Sequence, residues 1–190
     1  VGKDNKYYLE FYGVTSQKLY FCPHFIDQNF FQKRVKPNNK KSKKLEILFI
    51  GKLIERKNPF FLIDAVKRIK NLRINVTFVG SGVLMNKLKT ETDNLKLNDL
   101  SFNFLGFKNQ SELPKIYNNS NILVLPSKFE TWGLVVNEFF SLCKPAIVSE
   151  NSGCARDLII PGKTGEIICL DDPNELSEKI IKVSKYMDSF

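Results

Sequence analysis

The chain of 190 residues has little histidine, little cysteine and no long apolar run. A helix that spans a bilayer needs about 20 consecutive apolar residues, and no segment approaches that length. The first residues, 1–4, lack both an initiator Met and the charged-then-apolar order of a secretory signal. We therefore expect a fragment of a cytoplasmic protein, without a membrane-spanning helix or a secretory signal of its own.

The scarcity of metal-binding residue types argues against a zinc site. The four cysteines, Cys22, Cys143, Cys154 and Cys169, form no C-x-x-C pair, and His24 is the only histidine. We expect reduced thiols with structural roles, and no thiol nucleophile, because no basic partner is close in sequence. We expect a packing or linker role for His24, which precedes the regular part of the chain.

Acidic residues are outnumbered, and the net charge is +9. Much of the excess lies in residues 33–36 and 40–44, which could contact nucleic acid or an anionic membrane. No recognisable nucleic-acid module is present, and the neighbouring Phe30 and Phe31 are not interleaved with the basic residues. We favour a solvated linker and no nucleic-acid partner, and we keep peripheral contact with the inner membrane face as an alternative.

From residue 45 onward, apolar runs typical of buried strands alternate with patterns typical of helices. This order predicts βαβ units, and hence a Rossmann-like, doubly wound parallel sheet of the α/β class. Before residue 45 we expect a helix that ends at Gly13, a short strand over 18–22 and a connector over 24–44. Asn58 and Ser111 are predicted helix caps. The predicted strands are 45–50, 74–79, 100–105, 122–125, 145–149 and 165–169, and the clearest helices are 60–70, 84–94, 111–117 and 174–187.

The most informative stretch follows the fourth predicted strand. Glu130 and Glu138 bracket a loop that contains Gly133 and leads into a helix, at the sheet edge where ligands of such folds bind. The first amides of a helix have no partner within it and favour phosphate. A carboxylate accepts hydrogen bonds from neighbouring hydroxyls. Amides for phosphate beside carboxylates for hydroxyls predict a site for a sugar nucleotide.

Two other loops follow strands of the same predicted sheet. The first carries Lys52, Arg56 and Lys57, cations suited to a diphosphate, but it does not have the spacing of a Walker loop. The second is Gly80-Ser81-Gly82, which lacks the third glycine of a dinucleotide fingerprint. It predicts a close approach of backbone to a ligand rather than NAD binding.

Together these motifs resemble the nucleotide-binding domain of glycosyltransferase family 4, retaining enzymes of the GT-B fold. The resemblance covers about residues 45–185, and residues 1–30 resemble the linker that follows the acceptor domain. It implies a boundary at residue 44, with the end of the acceptor domain and the linker in 1–44 and the donor domain in 45–190. The matching motifs, in order, lie at 49–53 with Lys57, 79–82, 104–107, 123–127, the pair Glu130 and Glu138, 152–159 and 162–165.

The resemblance also implies roles for individual residues. Lys52, Lys57 and Glu130 would be catalytic: the lysines hold the diphosphate, and Glu130 faces the donor sugar. Glu138 would accept hydrogen bonds from the ribose, and Phe107 would lie near the base. The full set implied for the donor is Gly51, Lys52, Lys57, Gly82, Phe107, Glu130, Thr131, Trp132, Gly133, Leu134, Val135 and Glu138.

The implied reaction is sugar transfer with retention, from a UDP- or GDP-linked donor to a glycan or lipid-linked acceptor. The acceptor would bind an N-terminal domain that this chain lacks, so the chain alone is expected to be incomplete for turnover. No metal and no cofactor are expected. Four positions depart from the family pattern: Lys52 stands for Arg, Thr131-Trp132 for Gly-Phe, and Phe139 for Ala. The alternatives are a Rossmann-type nucleotide-binding module without transferase activity and a relative that has lost activity.

Overall fold

The computed structural model describes residues 2–36, 44–95 and 97–186. Six strands form one sheet in the order β3-β2-β1-β4-β5-β6, and every neighbouring pair is parallel. Strands β1 to β3 extend to one side, and β4 to β6 extend from the other side of β1. This strand order is that of the Rossmann fold. The predicted doubly wound α/β sheet is confirmed. The strands are β1 (Leu45–Ile50), β2 (Ile74–Val79), β3 (Leu100–Gly106), β4 (Ile122–Leu125), β5 (Ala146–Ser149) and β6 (Gly165–Ile168).

Eight α-helices are assigned within the described residues, and six of them follow strands of the sheet. Two short 3-10 turns, Ser16–Lys18 and Glu55–Lys57, complete the regular structure. The helices are α1 (Gly2–Phe11), α2 (Gln28–Gln32), α3 (Pro59–Val66), α4 (Met85–Asn94), α5 (Leu113–Asn118), α6 (Leu134–Phe140), α7 (Ala155–Leu158) and α8 (Pro173–Tyr186).

The strands are apolar because helices cover both faces of the sheet, as in other parallel sheets. Along β1, Ile47 and Phe49 belong to the core cluster that includes residues of α3 and α8, whereas Leu48 and Ile50 belong to the cluster that includes residues of α5 and α6. All four side chains are at most 8% exposed. Strand β1 therefore joins the two halves of the core, and its carboxyl end lies at the middle of the sheet edge.

The segment before β1 differs from the prediction. Residues 18–22 form no strand, since Lys18 ends a 3-10 turn and no regular structure follows. Tyr20 and Phe21 are 89% and 75% exposed, so their aromatic pattern does not reflect burial in a sheet. The predicted connector contains α2, whose first turn is capped by Asp27 through a 3.1 Å hydrogen bond from the Phe30 N–H. The predicted helix end at Gly13 is confirmed, because α1 ends at Phe11 and Gly13 has φ +87°.

The predicted cap at Asn58 is confirmed in position but makes no capping hydrogen bond, and the predicted cap at Ser111 is wrong. Asn58 adopts a left-handed conformation, with φ 53°, and its side chain makes no capping hydrogen bond. Glu112, rather than Ser111, precedes α5, and its carboxylate accepts from the Asn109 N–H at 2.9 Å. Helix α3 ends at Val66, four residues before its predicted end. The basic residues 40–43 and the predicted end of the last helix at 187 lie outside the described residues.

Helix α1 packs on α7, far along the chain. The Lys3 N–H donates to Asp157 at 3.0 Å, and the Lys3 ammonium donates to the Arg156 carbonyl at 3.1 Å. Arg156 also pairs with Asp4 at 3.2 Å. These contacts hold α1 against α7, the helix that follows β5. Among the described helices, none is both long and apolar enough to cross a bilayer.

Candidate functional site

Loops from β1, β2 and β3 meet at the carboxyl edge of the sheet, and backbone hydrogen bonds join them beyond the strand ends. The Gly51 N–H donates to Val79 at 2.9 Å, and the Gly80 N–H donates to Gly106 at 2.8 Å. The Leu53 N–H donates to the carbonyl of Ser81 at 2.9 Å. The loop that carries Lys52 and Lys57 is thereby fixed against the glycine turn that follows β2.

The glycines of that turn are explained by contacts within the protein. A β-carbon on Gly80 would lie 2.0 Å from the Gly51 carbonyl oxygen, and one on Gly82 would lie 2.3 Å from the Leu53 carbonyl oxygen. No side chain can occupy either space, because both neighbours are backbone. The close approach predicted for this turn is thus made to the neighbouring loop, and contact of Gly82 with a donor remains a prediction.

The β1–α3 loop also contacts the β4–α6 loop, residues 126–133. The Lys128 N–H donates to the Arg56 carbonyl at 2.8 Å, and the Lys57 ammonium forms an ion pair with Glu130. The two side chains of this pair are each 14% exposed. Burial, helped by the charge of Arg56, lowers the pKa of Lys57. Two of the three predicted catalytic residues are therefore in contact.

Residues 130–132 are held from the other side by the β5–α7 loop. The Glu130 N–H donates to Asn151 at 3.2 Å, and the Gly153 N–H donates to the Glu130 carbonyl at 2.9 Å. The Cys154 N–H donates to the Trp132 carbonyl at 3.0 Å. The backbone around Glu130 is consequently fixed by the neighbouring loops rather than left as a free surface loop.

Gly133 starts α6 with φ +101°, a conformation that favours glycine. A β-carbon there would lie 3.0 Å from Leu125 and 3.3 Å from the Cys154 sulfur, so space is limited as well. Trp132, just before it, points into the protein: it is 7% exposed, and its indole N–H donates to Asn137 at 2.9 Å. Any contribution of Trp132 to a ligand site would therefore come from its backbone.

Glu138 lies in α6 and contacts a residue that the sequence did not single out. The Tyr117 hydroxyl, from α5, donates to Glu138 Oε2 at 2.5 Å. Burial raises the pKa of Glu138, and the tyrosine hydrogen bond partly offsets this effect. A buried tyrosine normally finds a polar partner for its hydroxyl, but the sequence gives no sign of which partner that is.

The remaining predicted residues lie at the same edge with their side chains in different environments. Lys52, Phe107, Thr131 and Leu134 are exposed, whereas Gly51 and Val135 are half-buried. The structure thus brings Lys57 and Glu130 into direct contact, and it places Glu138 in a separate contact with Tyr117. It leaves Lys52 and Phe107 on the accessible surface, beyond the carboxyl ends of β1 and β3.

The histidine and the cysteines show no arrangement suited to catalysis. The ring of His24 packs against Trp132 at 5.3 Å, and all four cysteines are free. Burial raises the pKa of Cys154 to about 12, which disfavours the thiolate. Cys22 and Cys143 are exposed, so the expected structural role fits the buried Cys154 better than these two.

An open parallel sheet in this strand order, with polar loops at its carboxyl edge, defines a Rossmann-like fold, here of the GT-B type. Residues 30–187 match the family model described as "Glycosyl transferases group 1". The chain therefore belongs to this glycosyltransferase family, which confirms the predicted resemblance to GT-B glycosyltransferases.

Relatives and solved structures agree with this assignment. The chain is 31% identical over 186 residues to an Escherichia coli UDP-Gal:alpha-D-GlcNAc-diphosphoundecaprenol alpha-1,3-galactosyltransferase, covering 90% of the chain and 46% of the relative. It is similar to the lipopolysaccharide outer core galactosyltransferase WaaB, with a TM-score of 0.77 and 21% identity over 96% of the chain and 51% of WaaB. It is also similar to Anabaena HepE in complex with UDP-glucose, with a TM-score of 0.66 and 21% identity over 76% and 40% of the two chains. The chain spans about half the length of the curated relatives that it matches.

Proposed function

We propose that this chain is the donor-binding domain of a retaining, family 4 type hexosyltransferase that uses a UDP-linked sugar. The observation that carries the proposal is the contact between Lys57 and Glu130, made where two loops meet at the carboxyl edge of the sheet. One residue suits a diphosphate and the other suits sugar hydroxyls, so a sugar diphosphate spanning both would satisfy each. The choice of UDP is supported by the HepE complex and by the donor named for the Escherichia coli relative.

In the proposed reaction, the bond between the anomeric carbon and the diphosphate breaks while the acceptor hydroxyl attacks the same face and gives its proton to the departing phosphate oxygen. The departing oxygen gains negative charge, which Lys52, Lys57 and the amides of Leu134 and Val135 would stabilise electrostatically. Glu130 would orient the hydroxyls of the sugar, and Glu138 would accept from the ribose. Because these cations supply the positive charge, the proposal predicts that transfer survives chelation by EDTA.

The acceptor would be a glycan or a lipid-linked sugar, held by residues of a longer protein outside this chain. The diphosphoundecaprenol acceptor of the Escherichia coli relative supports the lipid-linked class. An enzyme with such an acceptor would work at the cytoplasmic face of the inner membrane as a peripheral protein. The division at residue 44 into a linker and a donor domain belongs to the same proposal.

Binding of a nucleotide by the chain is the first test. Thermal unfolding would be followed with UDP, GDP, ADP and NAD, and a ligand at 100 times its dissociation constant should stabilise by about 2.7 kcal/mol. We expect stabilisation by UDP that is lost in Glu138→Ala. Stabilisation by GDP alone would indicate a GDP-linked donor instead of a UDP-linked one. No stabilisation by any nucleoside diphosphate would overturn the proposal.

Transferase activity needs a separate test on the full-length protein. We expect transfer from a UDP-hexose to an undecaprenyl-diphosphate-linked acceptor, with retained anomeric configuration in the product as read by NMR. A full-length protein that binds UDP but transfers no sugar to any such acceptor would instead favour a nucleotide-binding module without transferase activity.

A further inference from the structure

Tyr117 is the largest fully buried side chain among the described residues, and aromatic rings hold it in place. Its ring stacks on Phe31 of α2 at 5.8 Å and meets Phe139 of α6 edge-on at 5.7 Å. Three helices therefore fix the plane of the ring and the position of its hydroxyl. A buried ring clamped in this way leaves its hydroxyl little freedom to choose another partner.

The Tyr117 hydroxyl donates a hydrogen bond to Oε2 of Glu138 at 2.5 Å. Burial, which is the larger cause, and the negative charge of Glu138 both raise the pKa of Tyr117. The hydroxyl therefore keeps its proton and acts as the donor. Among the described residues, Tyr117 supplies the one hydrogen bond made to the Glu138 carboxylate. Oε2 is thus engaged by Tyr117, whereas Oε1 accepts no hydrogen bond from the described residues.

We infer that Tyr117 is a positioning residue, which orients Glu138 so that its second oxygen accepts from the ribose and makes the site selective for ribonucleotides over deoxyribonucleotides. The inference rests on the proposed function, in which Glu138 contacts the ribose. A carboxylate free to rotate would lose orientational entropy on binding, whereas one already held by Tyr117 would not. The benefit appears only with ligands whose hydroxyls reach Glu138.

The same hydrogen bond favours the charged form of Glu138, which is the stronger acceptor for ribose hydroxyls. Two influences act on its pKa: burial, which raises it, and the Tyr117 hydroxyl, which lowers it. Tyr117 is the titratable group that faces this carboxylate from α5. Removing the hydroxyl should therefore raise the pKa of Glu138 and weaken ribose binding first at acidic pH.

The test is titration calorimetry of Tyr117→Phe with UDP, 2′-deoxy-UDP and 3′-deoxy-UDP. The substitution keeps the ring and removes one oxygen, so the aromatic packing is preserved. We expect UDP affinity to fall up to about tenfold, because the ligand must then order a Glu138 carboxylate that Tyr117 no longer holds. Affinity for the deoxy analogues should change much less, so that the preference for ribose largely disappears. Tyr12→Phe, at an exposed tyrosine just after α1, serves as the matched control and should change nothing.

Two further readouts separate positioning from a structural defect. On acidification, UDP affinity should decline at higher pH in Tyr117→Phe than in the wild type. In a double-mutant cycle, Tyr117→Phe should cost little when added to Glu138→Gln, since the two residues act through one contact. An equal loss for all three nucleotides, or an unchanged ribose preference, would overturn the inference while leaving the donor site intact. Failure of the wild type to bind UDP or GDP would overturn the proposed function and the inference with it.

Discussion

Lys57 and Glu130 are paired although each is predicted to serve a different part of the donor. Both side chains are largely buried, and an unpaired charge is costly in such a position. The ion pair reduces this cost, because each residue partly neutralises the charge of the other. Burial and the charge of Arg56 lower the pKa of Lys57, because both disfavour the charged form of its amine. A diphosphate that binds Lys57 must therefore compete with Glu130 for the same ammonium group.

Glu130→Gln should accordingly tighten the binding of UDP by severalfold, while it abolishes sugar transfer in the full-length protein. The glutamine keeps the shape of the side chain but no longer competes for the cation. We also expect a loss of about 1–3 kcal/mol in the free energy of unfolding, because Lys57 is left partly buried without a charged partner. Calorimetry with UDP and urea unfolding measure the two effects.

Glu55→Gln provides a matched control for this variant. Glu55 lies 3.9 Å from Lys128, with both side chains more than half exposed, and such a pair contributes about 0–1 kcal/mol. The control should leave UDP binding and unfolding nearly unchanged. Weaker UDP binding in Glu130→Gln than in the control would contradict the competition argument.

Lys144 gives a prediction about pH. Its ammonium donates to the carbonyls of Asn118, at 2.8 Å, and Ser120, and burial lowers its pKa to about 8. An unfolded lysine titrates near pH 10.4. Above about pH 8 the unfolded state therefore binds more protons at this site than the native state does, and the free energy of unfolding rises with pH.

Urea unfolding at about pH 7.5 and about pH 9.5 tests this against Lys144→Met. Over that interval the wild type should gain about 1 kcal/mol relative to the variant, once solvent screening is allowed for. Taking the difference between the two proteins cancels the other titrating groups. Parallel pH profiles would show that the native environment does not shift the pKa of Lys144.

Among the secondary-structure elements, the strand-to-helix turns are packed on one another, and glycine makes this packing feasible. At Gly80, φ is +127° and a β-carbon would lie 2.0 Å from the Gly51 carbonyl oxygen. At Gly162, φ is +75°, but a β-carbon would meet no atom of the described residues within 4 Å. The two positions share an unusual backbone and differ in available space.

Gly80→Ala should therefore destabilise the protein far more than Gly162→Ala. For Gly162→Ala we expect about 1–2 kcal/mol, the cost of a left-handed conformation for a residue with a side chain. For Gly80→Ala we expect at least about 4 kcal/mol, since backbone must move as well, together with weaker UDP binding. Circular dichroism during thermal unfolding compares the two. Similar losses in both variants would mean that the contact with Gly51 is easily relieved.

Sequence patterns were reliable for elements that are buried on both faces. The strands at 45–50, 74–79 and 122–125 have the predicted bounds, because each largely apolar run ends directly before a glycine or a proline. The predicted strand at 18–22 contains Tyr20 and Phe21 but has no strand to pair with among the described residues. Local propensity does not reveal whether a partner strand exists, which is why this prediction failed.

Residues of the candidate site could be predicted where their position follows from the order of strands and loops. They could not be predicted where it depends on a side-chain contact between helices. Glu130 and Lys57 follow strands of a parallel sheet, so their convergence at one edge follows from the order of the elements. The contact of Tyr117 with Glu138 joins α5 to α6 and depends on how these helices pack. The burial of Trp132 depends likewise on α1, which lies far away in the sequence.

Considered as one unit, the chain folds back before α2, so that Gly2 and His24 both lie against Trp132 of the β4–α6 loop. A β-carbon on Gly2 would lie 2.6 Å from the Trp132 ring, and His24 packs on the same ring at 5.3 Å. Neither residue belongs to the two core clusters of the sheet domain. The segment thus covers Trp132 without forming part of either core cluster. Its removal should therefore affect the surroundings of Trp132 more than the folding of the sheet domain.

Deletion of residues 1–24 should therefore leave a folded domain with an exposed indole. Trp132 is the only tryptophan in the chain, so its fluorescence reports on this position alone. We expect the emission to shift to longer wavelength, while thermal unfolding stays cooperative because both core clusters remain. Phe11→Ala, on the exposed surface of α1 where the side chain is 83% exposed, is the matched control and should leave the emission unchanged. An unshifted emission in the truncated chain would show that the first helix does not shield Trp132 in solution. A loss of cooperative unfolding would show instead that residues 1–24 belong to the folding unit itself.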